Sequence, residues 1–146
     1  MKKKLLAGLT IGFPLIFSLP VSSENLQNIS KLLSTGECYR CDLANTNLAG
    51  AHLIGADLRG ANLRGANLAN ANLEGADLTG ANLLGANLEG ALLTNASLNY
   101  TNLNSADLTA AKLYDTSISG ATMENLTITD AEIYSTPIAV GGSDEQ

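Results

Sequence analysis

The feature that most constrains the fold of this chain is a row of large aliphatic side chains at strict five-residue spacing. The row runs through Leu43, Leu48, Leu53, Leu58, Leu63, Leu68, Leu73, Leu78, Leu83, Leu88, Leu93, Leu98, Leu103, Leu108 and Leu113, and continues as Ile118, Met123, Ile128, Ile133 and Ile138. Two positions before each member lies a small residue, usually Ala, as at Ala56, Ala61, Ala66 and Ala71. A period of five matches neither the 3.6 of a helix nor the 2 of a strand, so neither element alone keeps the row on one side. A short fixed period marks a repeat architecture, and every local reading has to respect it.

One geometry satisfies the row. If each pentapeptide forms one short extended side and then turns, the aliphatic residue and its small neighbour two before it both face inward, while the other three face out. Four sides make an all-β coil that repeats every 20 residues, stacked on the next at about 4.8 Å, the spacing of hydrogen-bonded strands. Twenty aliphatic positions then give about five coils over residues 37–140. Each inward Leu, Ile or Met contributes about 1.5–3 kcal/mol when covered. Leu126, at a position otherwise held by small residues, calls for a wider coil.

The corners need a residue that tolerates positive φ, as the third residue of a type II turn does. Gly fills the fifth position at Gly55, Gly60, Gly65, Gly75 and Gly80, and Asn45, Asn70, Asn95 and Asn125 are common substitutes. Tyr100, Ser105, Ala110 and Asp115 suit that conformation less well. The corners are therefore expected to change turn type after about residue 100.

The ends of the chain break the pattern. Lys2, Lys3 and Lys4 precede a largely apolar stretch over residues 5–21 that contains Pro14 and Pro20. That stretch is short for a membrane span of roughly 20 residues, and with the small residues Ser22 and Ser23 it fits a cleaved signal peptide over residues 1–23. Removing it takes three Lys and no acid, leaving five basic and 14 acidic residues, a net charge of −9. Such a balance disfavours nucleic acid as a partner, and no stable membrane span is expected after cleavage. Residues 24–36 carry Leu26, Ile29, Leu32 and Leu33 at helical spacing, with Asn25 as N-cap and Gly36 as stop. This predicts a short α-helix capping the first coil, whose apolar interior and strand edge would otherwise be bare. Residues 141–146 read as a disordered acidic tail, and the uncapped last coil leaves monomer and dimer both open.

Cys38 and Cys41 fall in register, Cys38 at an aliphatic position and Cys41 at a small one, so both are expected to point inward. Three readings stay open for the pair: a disulfide closing the first turn, two buried thiols, or a C-x-x-C redox pair. A zinc site needs further ligands, and His52 alone does not supply them.

The repeat A-(N/D)-L-x-G appears almost literally in Ala61-Asn62-Leu63-Arg64-Gly65, Ala76-Asp77-Leu78-Thr79-Gly80 and Ala86-Asn87-Leu88-Glu89-Gly90. It resembles the pentapeptide-repeat family, which implies a right-handed quadrilateral parallel β-helix. A helix followed by T-G-E-C-x-x-C-D-L is similar to the N-terminal cap of exported cyanobacterial members, which implies the periplasm or thylakoid lumen. Most of those members have no assigned biochemical activity.

A four-sided coil also assigns the outer surface. Asn62, Asn82 and Asn102 should stack as one amide ladder, and Asn47, Asn67 and Asn87 as another. Asp57 and Asp77 should stack as like charges, with Arg59 offsetting them. Leu92, Lys112, Tyr114 and Tyr134 share one face and form the candidate partner patch. No catalytic constellation, cofactor motif or metal cluster appears, and flat walls are expected to offer no pocket. The function expected is therefore a non-enzymatic exported scaffold that binds an unidentified protein. Two other readings compete with it. The resemblance also covers acidic rods that mimic DNA at type II topoisomerases, although an export signal argues against that target. The third reading is a thiol-disulfide protein acting through Cys38 and Cys41.

Overall fold

The computed structural model describes residues 23–137. The expected leader apart from Ser23, the core position Ile138 and the C-terminal tail lie outside the described residues. Helix α1 (Ser23–Thr35) opens the described chain, and Gly36 ends it with φ 73°, donating its N–H to the Leu32 carbonyl at 2.8 Å. Only Leu32 of α1 is fully buried, with Ile29 half-buried against the same core, while Leu26 and Leu33 face solvent. The helix starts two residues before Asn25, which therefore sits in the first turn and not at the N-cap.

From Glu37 onward the chain winds in four-sided coils, and parallel bridges join each outward second-position residue to its counterpart one coil on. One wall reads Asp42, Asn62, Asn82, Asn102, Thr122 and the next Asn47, Asn67, Asn87, Asp107, Thr127. The bonding repeats on every wall. Inside the rod each aliphatic N–H reaches forward to a second-position carbonyl on the following coil, as Leu68 does to Asn87 at 2.7 Å. Each second-position N–H reaches back to the small residue of the preceding coil, as Asn87 does to Ala66 at 3.0 Å. The two longest extended segments, β1 (Lys112–Tyr114) and β2 (Glu132–Tyr134), pair in parallel with Leu113 opposite Ile133.

Positive φ persists at every fifth residue from Arg40 to Ser135, so the expected change of corner after residue 100 does not occur. Tyr100, Ser105, Ala110 and Asp115 hold φ of 58°, 57°, 55° and 51°. The reason lies in the corner N–H, which must meet the coil above: Tyr100 donates to Ser119 at 2.8 Å and Ala110 to Thr129 at 2.8 Å. A left-handed non-Gly residue costs about 1–2 kcal/mol, and relaxing it would strand this bond and break the register of the walls on either side. The Asp115 corner keeps its positive φ but changes its turn bond. The Thr116 N–H turns to the Thr136 hydroxyl oxygen at 3.1 Å, and that hydroxyl in turn donates to the Leu113 carbonyl at 2.7 Å.

The interior is a stack of Leu with Ala between, fully buried from Leu43 to Leu113 and nearly so at Ile118. Where Thr replaces Ala inside, at Thr46 and Thr101, its hydroxyl donates to the carbonyl three residues back at 2.7 Å, leaving no unmet polar group. The core then thins: Met123, Leu126 and Ile128 are half-buried, and Ile133 is 37% exposed. Leu126 is packed there against the thinner part of the core.

Burial thus grades along one row of similar side chains. Leu78→Ala is expected to cost about 2–5 kcal/mol, as buried large-to-small changes do, and Ile133→Ala under about 1 kcal/mol, since its side chain is already partly in water. Urea unfolding midpoints of the two variants check the difference.

Candidate functional site

The outward second and fourth positions carry the chemistry, and the fold commits most of it to its own backbone. Extended walls leave the fourth-position N–H pointing away from the coils above and below. The Asn or Asp two residues earlier accepts it, in the manner of an Asx turn. Asn67 takes the Ala69 N–H at 3.1 Å, Asn87 the Glu89 N–H at 2.9 Å, Asp77 the Thr79 N–H at 2.9 Å and Asp107 the Thr109 N–H at 2.9 Å. The expected amide ladders are therefore columns of such turns. A side-chain bond running up a column, from Asn62 Nδ2 to Asp42 Oδ1 at 2.9 Å, is the exception in those two columns below residue 102. Where the second position becomes Ser or Thr, the coil beneath compensates: Asn99 accepts the Ser119 N–H and Asn104 the Glu124 N–H, each at 2.8 Å. This explains the N/D of the repeat, which the sequence pattern displays without giving its reason.

Near the cap, Cys38 and Cys41 are paired, with Sγ–Sγ 2.13 Å and Cα–Cα 5.1 Å. Cys38 is fully buried, Cys41 half-buried, and Asn28 of α1 donates its side-chain amide to the Asp42 carbonyl at 3.1 Å. Pair and helix together close the first coil. Beside them the guanidinium groups of Arg40 and Arg59 lie 5.1 and 5.4 Å from the centre of the Tyr39 ring. Arg59 also grips Asp57 through two bonds, Nε at 2.8 Å and Nη2 at 2.7 Å, and approaches Asp77 at 3.8 Å. The stacked carboxylates are thereby bridged by one cation. The Arg59 hydrogen bond holds the Asp57 carboxyl below its ordinary range, against a smaller opposing push from burial.

The third wall gathers Leu92, Lys112, Tyr114 and Tyr134, with Leu92 bridged to Lys112 and Tyr114 to Tyr134. Tyr134 is exposed, but Leu92, Lys112 and Tyr114 are each half-buried. The Tyr114 hydroxyl donates to Glu132, which also meets Lys112 at 3.4 Å. That bond lowers the Glu132 carboxyl and raises the Tyr114 phenol. The wall is thus a polar-clamped surface carrying one free ring at its C-terminal end. His52 lies on the same wall, bridged to Asn72 on the following coil. Among the described residues no group of three or more His, Cys, Asp or Glu could hold a metal ion, and no helix is long and apolar enough to cross a membrane.

The walls are not uniformly flat. A hollow of about 320 Å³ opens near the Asp115 corner, lined by Asn99, Thr116, Ser117, Ile118, Ser119 and Pro137 among others. Sequence reasoning missed it. Pro137, at a position where regular stacking needs an N–H, was the available signal.

Comparison with known proteins agrees with the geometry. A family model described as pentapeptide repeats matches in 8 copies over residues 37–75, 56–95 and 86–125. The chain is similar to the crystal structure of a pentapeptide repeat protein from Nostoc PCC 7120, with 32% identity and TM-score 0.59, covering 70% of this chain and 93% of that one. It is also similar to one from the cyanobacterium Cyanothece 51142, with 29% identity and TM-score 0.52, covering 70% and 98%. No curated protein sequence matches.

Arg59→Gln should lower stability at neutral pH, where Asp57 and Asp77 then repel without a bridge, and more so at low salt. Asp57 has a depressed pKa, so its contribution is present above the ordinary Asp value of about 3.9 and fades as pH falls through the lower folded value. The gap between variant and parent should therefore narrow as the pH falls below the ordinary Asp range. Thermal unfolding at stepped pH and salt checks both trends.

Proposed function

We propose that this chain, which belongs to the pentapeptide-repeat family, is a non-enzymatic scaffold exported to the periplasm or thylakoid lumen. It is a right-handed β-helix of about five coils whose walls offer surface to a protein partner. The observation that carries the reading is the commitment of the outward Asn and Asp side chains to their own backbone, as with Asn67, Asn87 and Asp107. Groups held in this way are poorly placed for acid-base chemistry or nucleophilic attack, which need a poised side chain facing a substrate. Surface recognition needs only a fixed and regular framework.

Export rests on the basic and apolar start of the chain, and the Cys38–Cys41 pair fits an oxidising compartment as a structural disulfide. Its place between α1 and the first coil favours a clasp over a redox centre, since Cys38 is fully buried.

Expression of the full chain in a cyanobacterial host, followed by fractionation and N-terminal sequencing, tests the compartment. The expected product starts at Glu24 and sits in the periplasm or lumen. Uncleaved protein in the cytosol would contradict it and would return the topoisomerase reading to contention, which a gyrase supercoiling assay then decides.

A further inference from the structure

The cations of this chain gather at one end of an acidic rod. Residues 24–146 hold 14 acids against Lys31, Arg40, Arg59, Arg64 and Lys112, and from Gly65 to Pro137 Lys112 is the only cation. With acids in such excess, each cation is expected to meet a carboxylate. Lys112 meets Glu132 at 3.4 Å, while Arg59 meets Asp57 at 2.7 Å and Asp77 at 3.8 Å. Lys31, on α1, acts on Asp57 from farther off. Arg40 and Arg64 depart from this. Both are exposed, and among the described residues neither guanidinium has an ion pair or donates a hydrogen bond.

The fold holds these two side chains in one region. Arg40 is the first corner, with φ 54°. Its stem lies along the next coil's corner at Gly60, where an added Cβ would stand 3.1 Å from Cγ and 3.8 Å from Nε. Its guanidinium lies over the Tyr39 ring at 5.1 Å. That ring is braced in turn, because Arg59 lies over it at 5.4 Å and is itself gripped by Asp57 through two bonds. A guanidinium on an aromatic face is pre-organised and keeps its in-plane donors for a ligand. Arg64 stands four residues past Gly60 on the adjoining wall, so their Cα atoms are at most about 14 Å apart. The acid of that wall, Asp42, is turned to other donors: its Oδ1 accepts the Ala44 N–H at 3.1 Å and the Asn62 amide at 2.9 Å.

We propose that Arg40 and Arg64, with Tyr39 as the brace, form a docking surface for an extended acidic segment of another protein, each guanidinium taking one carboxylate. Residues two apart on an extended segment lie about 7 Å apart on one face, so acids at alternate positions bring a carboxylate to each cation. Paired Arg–carboxylate bonds are among the stronger hydrogen bonds. Charge selects the occupant. An anionic lipid surface would be repelled by the rest of a rod carrying 14 acids against five cations, whereas a narrow acidic segment meets only the patch. The inference names the partner's chemistry for the scaffold reading and rests on it. The two fail separately, since export is read from the N-terminus of the product and docking is read in solution.

The test titrates the full chain into a labelled peptide, Ser-Glu repeated four times, and follows fluorescence anisotropy at stepped salt. Binding is expected and should weaken as salt rises. Arg40→Gln or Arg64→Gln should weaken it about tenfold, as loss of a charged hydrogen bond does, and the double variant further. Lys112→Gln removes the same charge elsewhere on the rod and should leave binding unchanged. All three positions are on the surface, and thermal unfolding matched to the parent confirms that each variant is folded. Absence of binding, or an equal loss with Lys112→Gln, would overturn the proposal. So would binding that survives the double variant, which would place the peptide on Lys2, Lys3 and Lys4. Anionic lipid vesicles that bind through the two Arg where the peptide does not would overturn it in favour of a membrane.

Discussion

The interaction on which this structure depends is the hydrogen bond from each inward aliphatic residue's N–H to a carbonyl on the following coil, as from Leu68 to Asn87. It fixes the coil at four pentapeptides, and the other regularities follow from that length. Corners must turn through positive φ to deliver the next N–H, whatever residue stands there. Neighbours of the Leu row must be small where four walls meet. Fourth-position N–H groups are left facing outward and need Asn or Asp to receive them. One length sets several residue choices at once, and each choice is satisfied locally.

Stacking at this interval also creates the electrostatic problem the surface has to solve. Equivalent residues of successive coils sit one above the other, so like charges meet unless something intervenes. At Asp57 and Asp77 the intervening group is Arg59, braced in turn over Tyr39. At Glu132 the stacked neighbour is itself a cation, Lys112, and the Tyr114 hydroxyl adds a further bond. At Asp107 the stacked neighbours Asn87 and Thr127 carry no charge, and Thr109 supplies two donors that hold the carboxyl down.

Much of this was legible in the sequence. The aliphatic row located the interior from Leu43 to Ile118, though not at Ile133, which is exposed, and it gave the columns in which Asp57 meets Asp77 and Tyr114 meets Tyr134. What the sequence concealed was direction at the level of single atoms. Asn67 and Asn87 satisfy a stacked-amide ladder and an Asx turn equally well as letters, and only the geometry of the fourth-position N–H separates the two. Tyr100 and Ala110 are poor candidates for positive φ by intrinsic preference, yet the bonds on either side of them override that preference. The apolar positions of α1 showed a helix without showing that Leu32 alone would be buried, since that depends on the angle at which the helix crosses the coil. The hollow near Asp115 has Pro137 in its lining, a single departure within so regular a repeat.

A scaffold built in this way draws its stability from cover on both sides of each coil, and cover is uneven along the rod. Native-state hydrogen exchange resolved by residue measures this most directly. Amides of Leu73, Leu78 and Leu83, each bonded to the coil above and packed within the core, should exchange only through global unfolding. Those of Met123 and Ile128 should exchange by local opening at the edge, at rates orders of magnitude faster. Equal protection along the whole row would contradict the account, because it would require the last coil to be covered like the rest.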